Sequence, residues 1–222
     1  MIAPSFPAEF LEIEDPEILV TMIRKLGFER VVEVSFGADM VAREYSRLMD
    51  SSGNKHYISS DCPAIVNYVE GYHPELIDHL TPVASPMVAM ARIVKQKYGE
   101  QVKTVFIGPC IAKKAESDEV DEGITFKELR EMLEVHNIKA EHNEPTPFDP
   151  PVAAKGAIFP LSRGLLQTAN TNDDICEGNI LVTEGKGNFS EAIKEFEQGL
   201  KESQHLELLC CEGCIMGPGM TS

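Results

Sequence analysis

Apolar positions along this chain recur at two alternating periods, one helical and one strand-like. Residues 14–27 open the helical series. Asp15-Pro16 supplies a cap with proline at the first helical position, Ile18, Leu19, Met22, Ile23 and Leu26 recur on one face, and Gly27 closes the element. Arg30–Ser35 is rich in valine and reads as a strand. Ala38–Asp50 returns to helical spacing and stops at Ser51-Ser-Gly-Asn54. A strand at 56–60, a helix from Pro63 to Tyr72 and a short helix from Pro74 to Leu80 follow. Ser85-Pro86 opens a helix to Tyr98, and a strand covers 103–108. The polar stretch Glu116–Glu122 precedes a helix over Thr125–His136, and the proline-rich residues 142–152 form an irregular connector. Gly156–Thr168 carries strand and helix signals together. Ile180–Thr183 is a strand, Asn188-Phe-Ser190 caps a helix to Gln204, and 206–209 is the last strand. Strands alternating with helices predict an α/β fold of mainly parallel sheet flanked by helices.

Three of these strands end alike. His56-Tyr-Ile-Ser-Ser-Asp-Cys62-Pro63, Thr104-Val-Phe-Ile-Gly-Pro-Cys110-Ile-Ala-Lys-Lys114 and Leu206-Glu-Leu-Leu-Cys210-Cys-Glu-Gly-Cys214 each carry an apolar run into a turn bearing thiols. In open α/β sheets, ligands collect beyond the carboxyl ends of the strands, so the three ends predict one shared site. The thiols best placed are Cys62, Cys110, Cys210 and Cys214, and four cysteines complete a [4Fe–4S] set. Zinc is the competing metal, but zinc sites usually come as paired short-spaced knuckles. Taken singly, Cys62 or Cys110 reads equally well as a small buried apolar residue. Cys211-Glu-Gly-Cys214 also satisfies the redox Cys-x-x-Cys pattern, although it follows a strand instead of opening a helix. Cys176 has no motif around it and reads as structural. The six histidines read as surface residues or ordinary polar contacts. Lys113-Lys114 reads as a solvated pair by composition; beside an anionic cluster, one ammonium would donate hydrogen bonds and offset charge.

Composition narrows the partners. The 222 residues are 43% hydrophobic and 25% charged, enough for one large domain or two lobes with a proper core. A net charge of −16 excludes nucleic acid and anionic membranes, which need a basic face. No run approaches the ~18 apolar residues of a membrane span, and the N-terminus lacks the basic start and apolar core of a signal peptide. Six cysteines in a chain of this size point to reduced or ligated thiols and a cytoplasmic location, not to a disulfide framework.

The three loops resemble those of the catalytic, H-cluster domain of [FeFe]-hydrogenases. Ser59-Ser-Asp-Cys62-Pro63 is similar to the first signature loop, Thr-Ser-Cys-Cys-Pro in catalytic members. Gly108-Pro-Cys110-Ile-Ala-Lys113-Lys114 is similar to the second, Met-Pro-Cys-Thr-Ala-Lys-Lys. Leu208-Leu-Cys210-Cys-Glu-Gly-Cys214 is similar to the third, Met-Ala-Cys-x-Gly-Gly-Cys, and that spacing selects Cys210 over Cys211. Likeness extends to Arg24–Phe28, Phe36–Met40, Tyr72–Leu76, Gly156–Phe159 and Gly185–Asn188, so it covers nearly the whole chain.

The resemblance implies two lobes with the site in the cleft between them. Cys62, Cys110, Cys210 and Cys214 would hold a [4Fe–4S] cubane, with Cys214 bridging to a diiron subcluster that carries CO, cyanide and a dithiolate. Lys113 would hydrogen-bond one cyanide, and Pro4-Ser5 matches the segment contacting the other. The implied activity is H2 ⇌ 2H⁺ + 2e⁻, with H2, protons and a ferredoxin-like domain or electron carrier as partners.

Departures from the family pattern matter as much. Asp61 stands where catalytic members have a relay cysteine; the relay's two glutamates fall on Tyr45 and Leu48, and its serine on Thr81. Two flanking methionines are replaced by Gly108 and Leu208. An unperturbed Asp pKa is about 4 against about 8.5 for Cys, so burial must raise Asp61 for it to move protons with Lys113 beside it. This pattern resembles the sensory group of the family, which binds hydrogen, turns over slowly and reports to a signalling domain or kinase. The absence of a ferredoxin-like cysteine run before Pro4, and the stop soon after the third loop, lead to the expectation that 1–222 is one H-cluster domain cut from a longer multidomain protein. The alternatives are a non-catalytic [4Fe–4S] redox or signalling module and a zinc-binding structural domain.

Overall fold

Two parallel sheets, each with its own apolar core, carry the thiol-bearing loops at their carboxyl ends. The computed structural model describes residues 1–51, 53, 55–169, 180–199 and 205–221. In the first sheet, β2 (Val105–Gly108) pairs in parallel with β3 (Glu122–Thr125). The N-terminal residues line the other side of β2: Ile2 bridges both Ile107 and Glu33 in parallel, Ala3 N–H donates to Ile107 O at 2.8 Å, and Ile2 N–H donates to Val32 O at 2.9 Å. Helices α2 (Pro16–Lys25), α5 (Pro86–Tyr98) and α6 (Phe126–Val135) cover this sheet, burying Leu19, Ile23, Met87, Met90, Phe126 and Leu129 against Ile2 and Ile107.

Local signals set the helix starts. Asp15 accepts from Glu17 N–H at 2.9 Å with Pro16 in the first turn. Ser85 caps α5 ahead of Pro86. Thr125 and Glu128 form a reciprocal capping box on α6.

The second sheet has the order β1 (Tyr57–Ile58), β5 (His205–Leu209), β4 (Ile180–Glu184), all parallel. Helices α4 (Pro63–Tyr72) and α8 (Asn188–Glu197) close its core around Ile58, Ile65, Val69, Ile193, Leu206 and Leu208. A third cluster joins α3 (Val34–Ser51) to α7 (Gly164–Thr168) through Ala38, Val41, Tyr45, Phe159 and Leu165. The α/β class and the parallel strands agree with the sequence.

Several boundaries differ, for identifiable reasons. Arg30–Ser35 is not a full strand: only Glu33 bridges, because its partner Ile2 offers a single register position before α3 begins at Val34. β3 escapes the sequence pattern because Glu122-Gly-Ile-Thr125 lacks an apolar run, and its pairing with β2 defines it. The short helix after Pro74 is a 3₁₀ turn over Pro74–His79, and Lys155–Ile158 is another, ahead of α7. α8 starts one residue after Gly187 and ends at Glu197; the residues at 200–204, and Cys176, lie outside the described residues. Among the described residues, no helix is long and apolar enough to cross a membrane.

The last residues return from the second sheet to the first. Gly219 N–H donates to Pro109 O at 2.7 Å, and Lys127 N–H donates to Gly219 O at 3.1 Å. Met220 is buried in the first core, while the Thr221 N–H and hydroxyl bond the Glu9 carboxylate, which also pairs with Arg130; Glu9 ends the short helix α1 (Phe6–Glu9). A Cβ on Gly219 would lie 2.7 Å from Pro109 O, too close for any real side chain. Gly219→Ala should therefore force the strap off the β2 turn, destabilising the fold by about 1–3 kcal/mol. Urea unfolding should show a lower midpoint with an unchanged slope.

Candidate metal centre

A cleft of about 770 Å³ opens between the two sheets at their carboxyl ends, and Cys62, Cys110, Cys210, Cys211 and Cys214 all line it. Each arrives by a different local device. Cys62 is extended (φ −101°, ψ 106°) as the cap of α4, and its carbonyl accepts the N–H groups of Ile65 and Val66 at 3.0 and 3.1 Å. Cys110 follows β2 by one proline and leads into the 3₁₀ turn Ala112–Ala115, which carries Lys113. Cys210 directly follows β5. Cys214 is turned inward after Gly213, whose φ of 70° suits glycine, and its N–H donates to Pro160 O at 2.8 Å.

All five cysteines are free thiols, and four of them resist ionisation. Burial pushes the Cys62 thiol up to about 11, and pushes Cys210 and Cys211 up as well. Cys214 is driven furthest, by burial and then by the neighbouring Cys62 and Cys110, with Lys113 opposing. Burying these four thiols together is the arrangement expected of a site whose charge balance is completed by a cation, since metal ligation requires thiolates and releases their protons. The all-sulfur donor set suits an iron–sulfur cluster.

Beneath Cys214 lie the polar groups that the sequence singles out. Lys113 Nζ donates to Asp61 O at 3.2 Å and to Glu116 at 2.7 Å. Burial works against the Lys113 charge, but Glu116, Cys110 and Cys214 more than offset it, so its pKa is raised. Asp61 is pushed up to about 6 by burial, with Lys113 opposing. Among the described residues, Asp61 Oδ1 and Ser5 Oγ are buried without hydrogen-bond partners. Pro4-Ser5 follows Ala3, which packs beside Gly108 at the end of β2. The Lys113 ammonium and the Asp61 carboxyl thus lie within electrostatic range of the innermost thiol.

The substituted positions have distinct explanations. A Cβ on Gly108 would lie 2.5 Å from the Phe106 ring and 2.9 Å from Ala3 Cβ, so the space for a longer side chain is taken. Leu208 is fully buried in the second core, and its N–H donates to Ser59 Oγ at 3.0 Å. Tyr45 and Thr81 do meet, at 2.6 Å between hydroxyls, and Ser60 N–H donates to Tyr45 Oη at 2.9 Å. Burial, with Asp61 nearby, pushes the Tyr45 phenol beyond its ordinary range, so the cluster holds hydroxyls that stay neutral.

Three residues were not given a role by sequence reasoning. Cys211, set aside as a bystander, shares the cleft and lies within electrostatic range of Cys210 and Cys110. Ser60 joins the Tyr45–Thr81 cluster. Glu207 is buried in β5, and the signal available for it was a lone charge between Leu206 and Leu208. Of the histidines, His73 and His205 are buried, and His73 Nδ1 meets Glu197 at 3.1 Å.

The chain has recognisable relatives. A family profile described as "Iron only hydrogenase large subunit, C-terminal domain" matches residues 1–218. Iron hydrogenase 1 of Clostridium pasteurianum is 26% identical over 90% of this chain and 45% of its own length. The Periplasmic [Fe] hydrogenase large subunit of Nitratidesulfovibrio vulgaris is 30% identical over 90% of this chain and 61% of its own. Cytosolic Fe-S cluster assembly factor NAR1 of Yarrowia lipolytica is 28% identical over 58% of this chain and 32% of its own. The chain thus spans less than half the length of Iron hydrogenase 1. A variant of [FeFe]-hydrogenase HydA1 from Chlamydomonas reinhardtii shares the fold, with a TM-score of 0.78 at 18% identity over 100% of this chain and 79% of that one. With the profile covering nearly every residue, and the three cysteine loops meeting in one cleft, the chain belongs to the iron-only hydrogenase family, as the C-terminal domain of its large chain.

Proposed function

We propose that this domain binds an H-cluster and activates H2 reversibly but slowly, in the service of H2 or redox sensing. The convergence of the Cys62, Cys110, Cys210 and Cys214 loops in one cleft, with Asp61 and Lys113 within electrostatic range of Cys214, carries the reading. In it, the four thiolates hold the cubane and Cys214 also faces the diiron subcluster. When bound, the cofactor supplies the open iron and the base for H2 ⇌ 2H⁺ + 2e⁻, a chemistry the protein tunes.

The chain's own residues do the rest. Lys113 keeps its charge in a buried setting and donates a hydrogen bond to an anionic ligand such as cyanide, as does Ser5 with Pro4 shaping its approach. Asp61 holds and releases a proton at its free Oδ1. Tyr45 and Leu48, in place of ionisable relay groups, make that transfer slow. Electrons leave by the open rim near Cys210, Cys211 and Lys186, where a ferredoxin-like domain or carrier would approach. A signalling domain or kinase in the same longer, cytoplasmic protein would receive the output.

A second reading, a module carrying only the [4Fe–4S] cubane, draws on the filled space at Gly108 and on the similarity to cluster assembly factors.

Anaerobic reconstitution with iron and sulfide should yield about four irons per chain, the content of one cubane. Cys214→Ser should reduce iron content and visible absorbance sharply. Loading with a synthetic diiron cofactor should then produce CO and cyanide infrared bands and slow H2 oxidation; a complete cubane without those bands favours the second reading. Asp61→Cys should raise turnover severalfold, measured by H2-dependent dye reduction. Unchanged turnover assigns the limitation to Tyr45 and Leu48 instead.

A further inference from the structure

The far end of α4 brings together three donor side chains that the cysteine cleft does not use. His73 Nδ1 stands 3.1 Å from Glu197 Oε2 and 3.5 Å from Glu75 Oε1, and the three ligand atoms all lie within 4.8 Å of one another. His73 follows the last residue of α4, Glu75 sits in the 3₁₀ turn Pro74–His79, and Glu197 is the last residue of α8. None of the three lines the cleft. Cys62 caps the opposite end of α4, so roughly 15 Å of helix separates the two places.

The imidazole is built into the fold. His73 is 8% exposed. Its N–H donates to Val69 O at 2.8 Å, closing α4, and its carbonyl accepts Leu76 N–H at 2.8 Å, opening the next turn. Its ring packs on Tyr68 with centroids 5.5 Å apart, and Tyr68 meets Phe189 of α8 edge-on at 5.1 Å. Glu75 and Glu197 are exposed, so water reaches the outer side of the group.

A hydrogen bond accounts for only part of this arrangement. Nδ1 has at most one proton to give and cannot serve both carboxylates equally. Among the described residues, neither carboxylate has a Lys or Arg partner. Glu197 also stands at the carboxyl end of α8, with the carboxyl end of α4 beside it, and helix C-termini carry partial negative charge that disfavours a carboxylate. A cation between the three groups relieves each of these repulsions. The spacing admits one, because donors bound to a single ion in tetrahedral or octahedral geometry stand about 3–3.5 Å apart.

We propose that His73, Glu75 and Glu197 bind a divalent transition-metal ion, with water completing its shell, and that this ion ties the end of α4 to the end of α8. The neutral imidazole gives its Nδ1 lone pair and keeps its proton on Nε2, while each carboxylate gives one oxygen. An imidazole beside two carboxylates favours ions such as zinc, iron or manganese over magnesium and calcium, which take oxygen ligands. Both helices cover the core of the second sheet, so the tie braces that sheet from the end of α4 remote from Cys62. It involves no residue of the cysteine cleft and does not depend on H2 activation.

Manganese(II) is a suitable probe, because thiols compete for it poorly and its hydrated form gives a sharp paramagnetic resonance signal that is lost on binding. Chelator-treated protein should remove one equivalent of manganese from that signal, saturably and in the presence of excess magnesium. His73→Ala, Glu75→Gln and Glu197→Gln should each weaken binding by about tenfold or more, since each removes one of the protein ligands. Glu191→Gln, which removes the same charge from the exposed start of α8, should leave the affinity unchanged. Bound manganese should raise the urea midpoint of the wild type and leave that of His73→Ala where it was. No saturable uptake, displacement by excess magnesium, or equal affinity in His73→Ala and wild type overturns the proposal. Bound manganese that leaves the wild-type midpoint unchanged overturns the tie between the helices. Because His73 is buried, the two surface glutamine variants decide the matter if His73→Ala does not fold; affinity within twofold of wild type in both overturns the site.

Discussion

One backbone hydrogen bond, from Gly219 N–H to the Pro109 carbonyl, joins the strap behind β5 to the turn behind β2. The geometry of the cleft depends on it. Cys110 is the next residue after Pro109, and Cys214 lies five residues before Gly219, so this contact sets how far apart the loops of the two sheets stand. It tolerates only glycine, because a Cβ at either Gly217 or Gly219 would meet the same carbonyl at 2.6 or 2.7 Å. The strap is then held on its far side by Met220 in the first core and by Thr221 on Glu9. A buried backbone pairing of this kind cannot be exchanged for a water contact without loss, so the two sheets are held as partners around one site.

Within that frame, electrostatics decides what the cleft accepts. Burial pushes the Cys62, Cys210, Cys211 and Cys214 thiols up, and neighbouring sulfurs add to the shift at the last three. A cationic metal cluster reverses that balance. Lys113 responds in the opposite sense, keeping its charge because Glu116 and two cysteines surround it. The cleft is therefore lined by sulfur, with a buried cation, Lys113, within electrostatic range of its innermost thiol.

The proton-handling region shows how one network is replaced by another of different chemistry. Tyr45, Ser60 and Thr81 satisfy one another through hydroxyls, a rigid arrangement with no group that ionises near neutrality. Among the described residues, Asp61 on the first cysteine loop and Glu207 on β5 bring carboxyls near this cluster. One buried oxygen of each carboxyl lacks a partner among the described residues, in contrast to the mutually bonded hydroxyl cluster. Ionisable groups thus reach the same volume from different backbone elements.

Much of this was legible along the chain. Asp15-Pro16, Ser85-Pro86 and Thr125 with Glu128 mark helix starts through contacts spanning a few residues, and the strand ends at Cys62, Cys110 and Cys210 follow from apolar runs closed by turns. The family was readable for the same reason, because each motif is local. Other features were not readable. Ile2 takes its place between Val32 and Ile107, and β3 exists only through β2. Phe106 and Ala3 fill the space at Gly108, and Glu207 enters the cavity beside Tyr45. The sequence by itself determined the helix caps, the alternation of elements and the thiols at the strand ends, since those depend on neighbours in the chain. Only the tertiary structure decided which distant residues share a volume, because burial, pairing and orphaned charge are properties of packing between segments that no local pattern records.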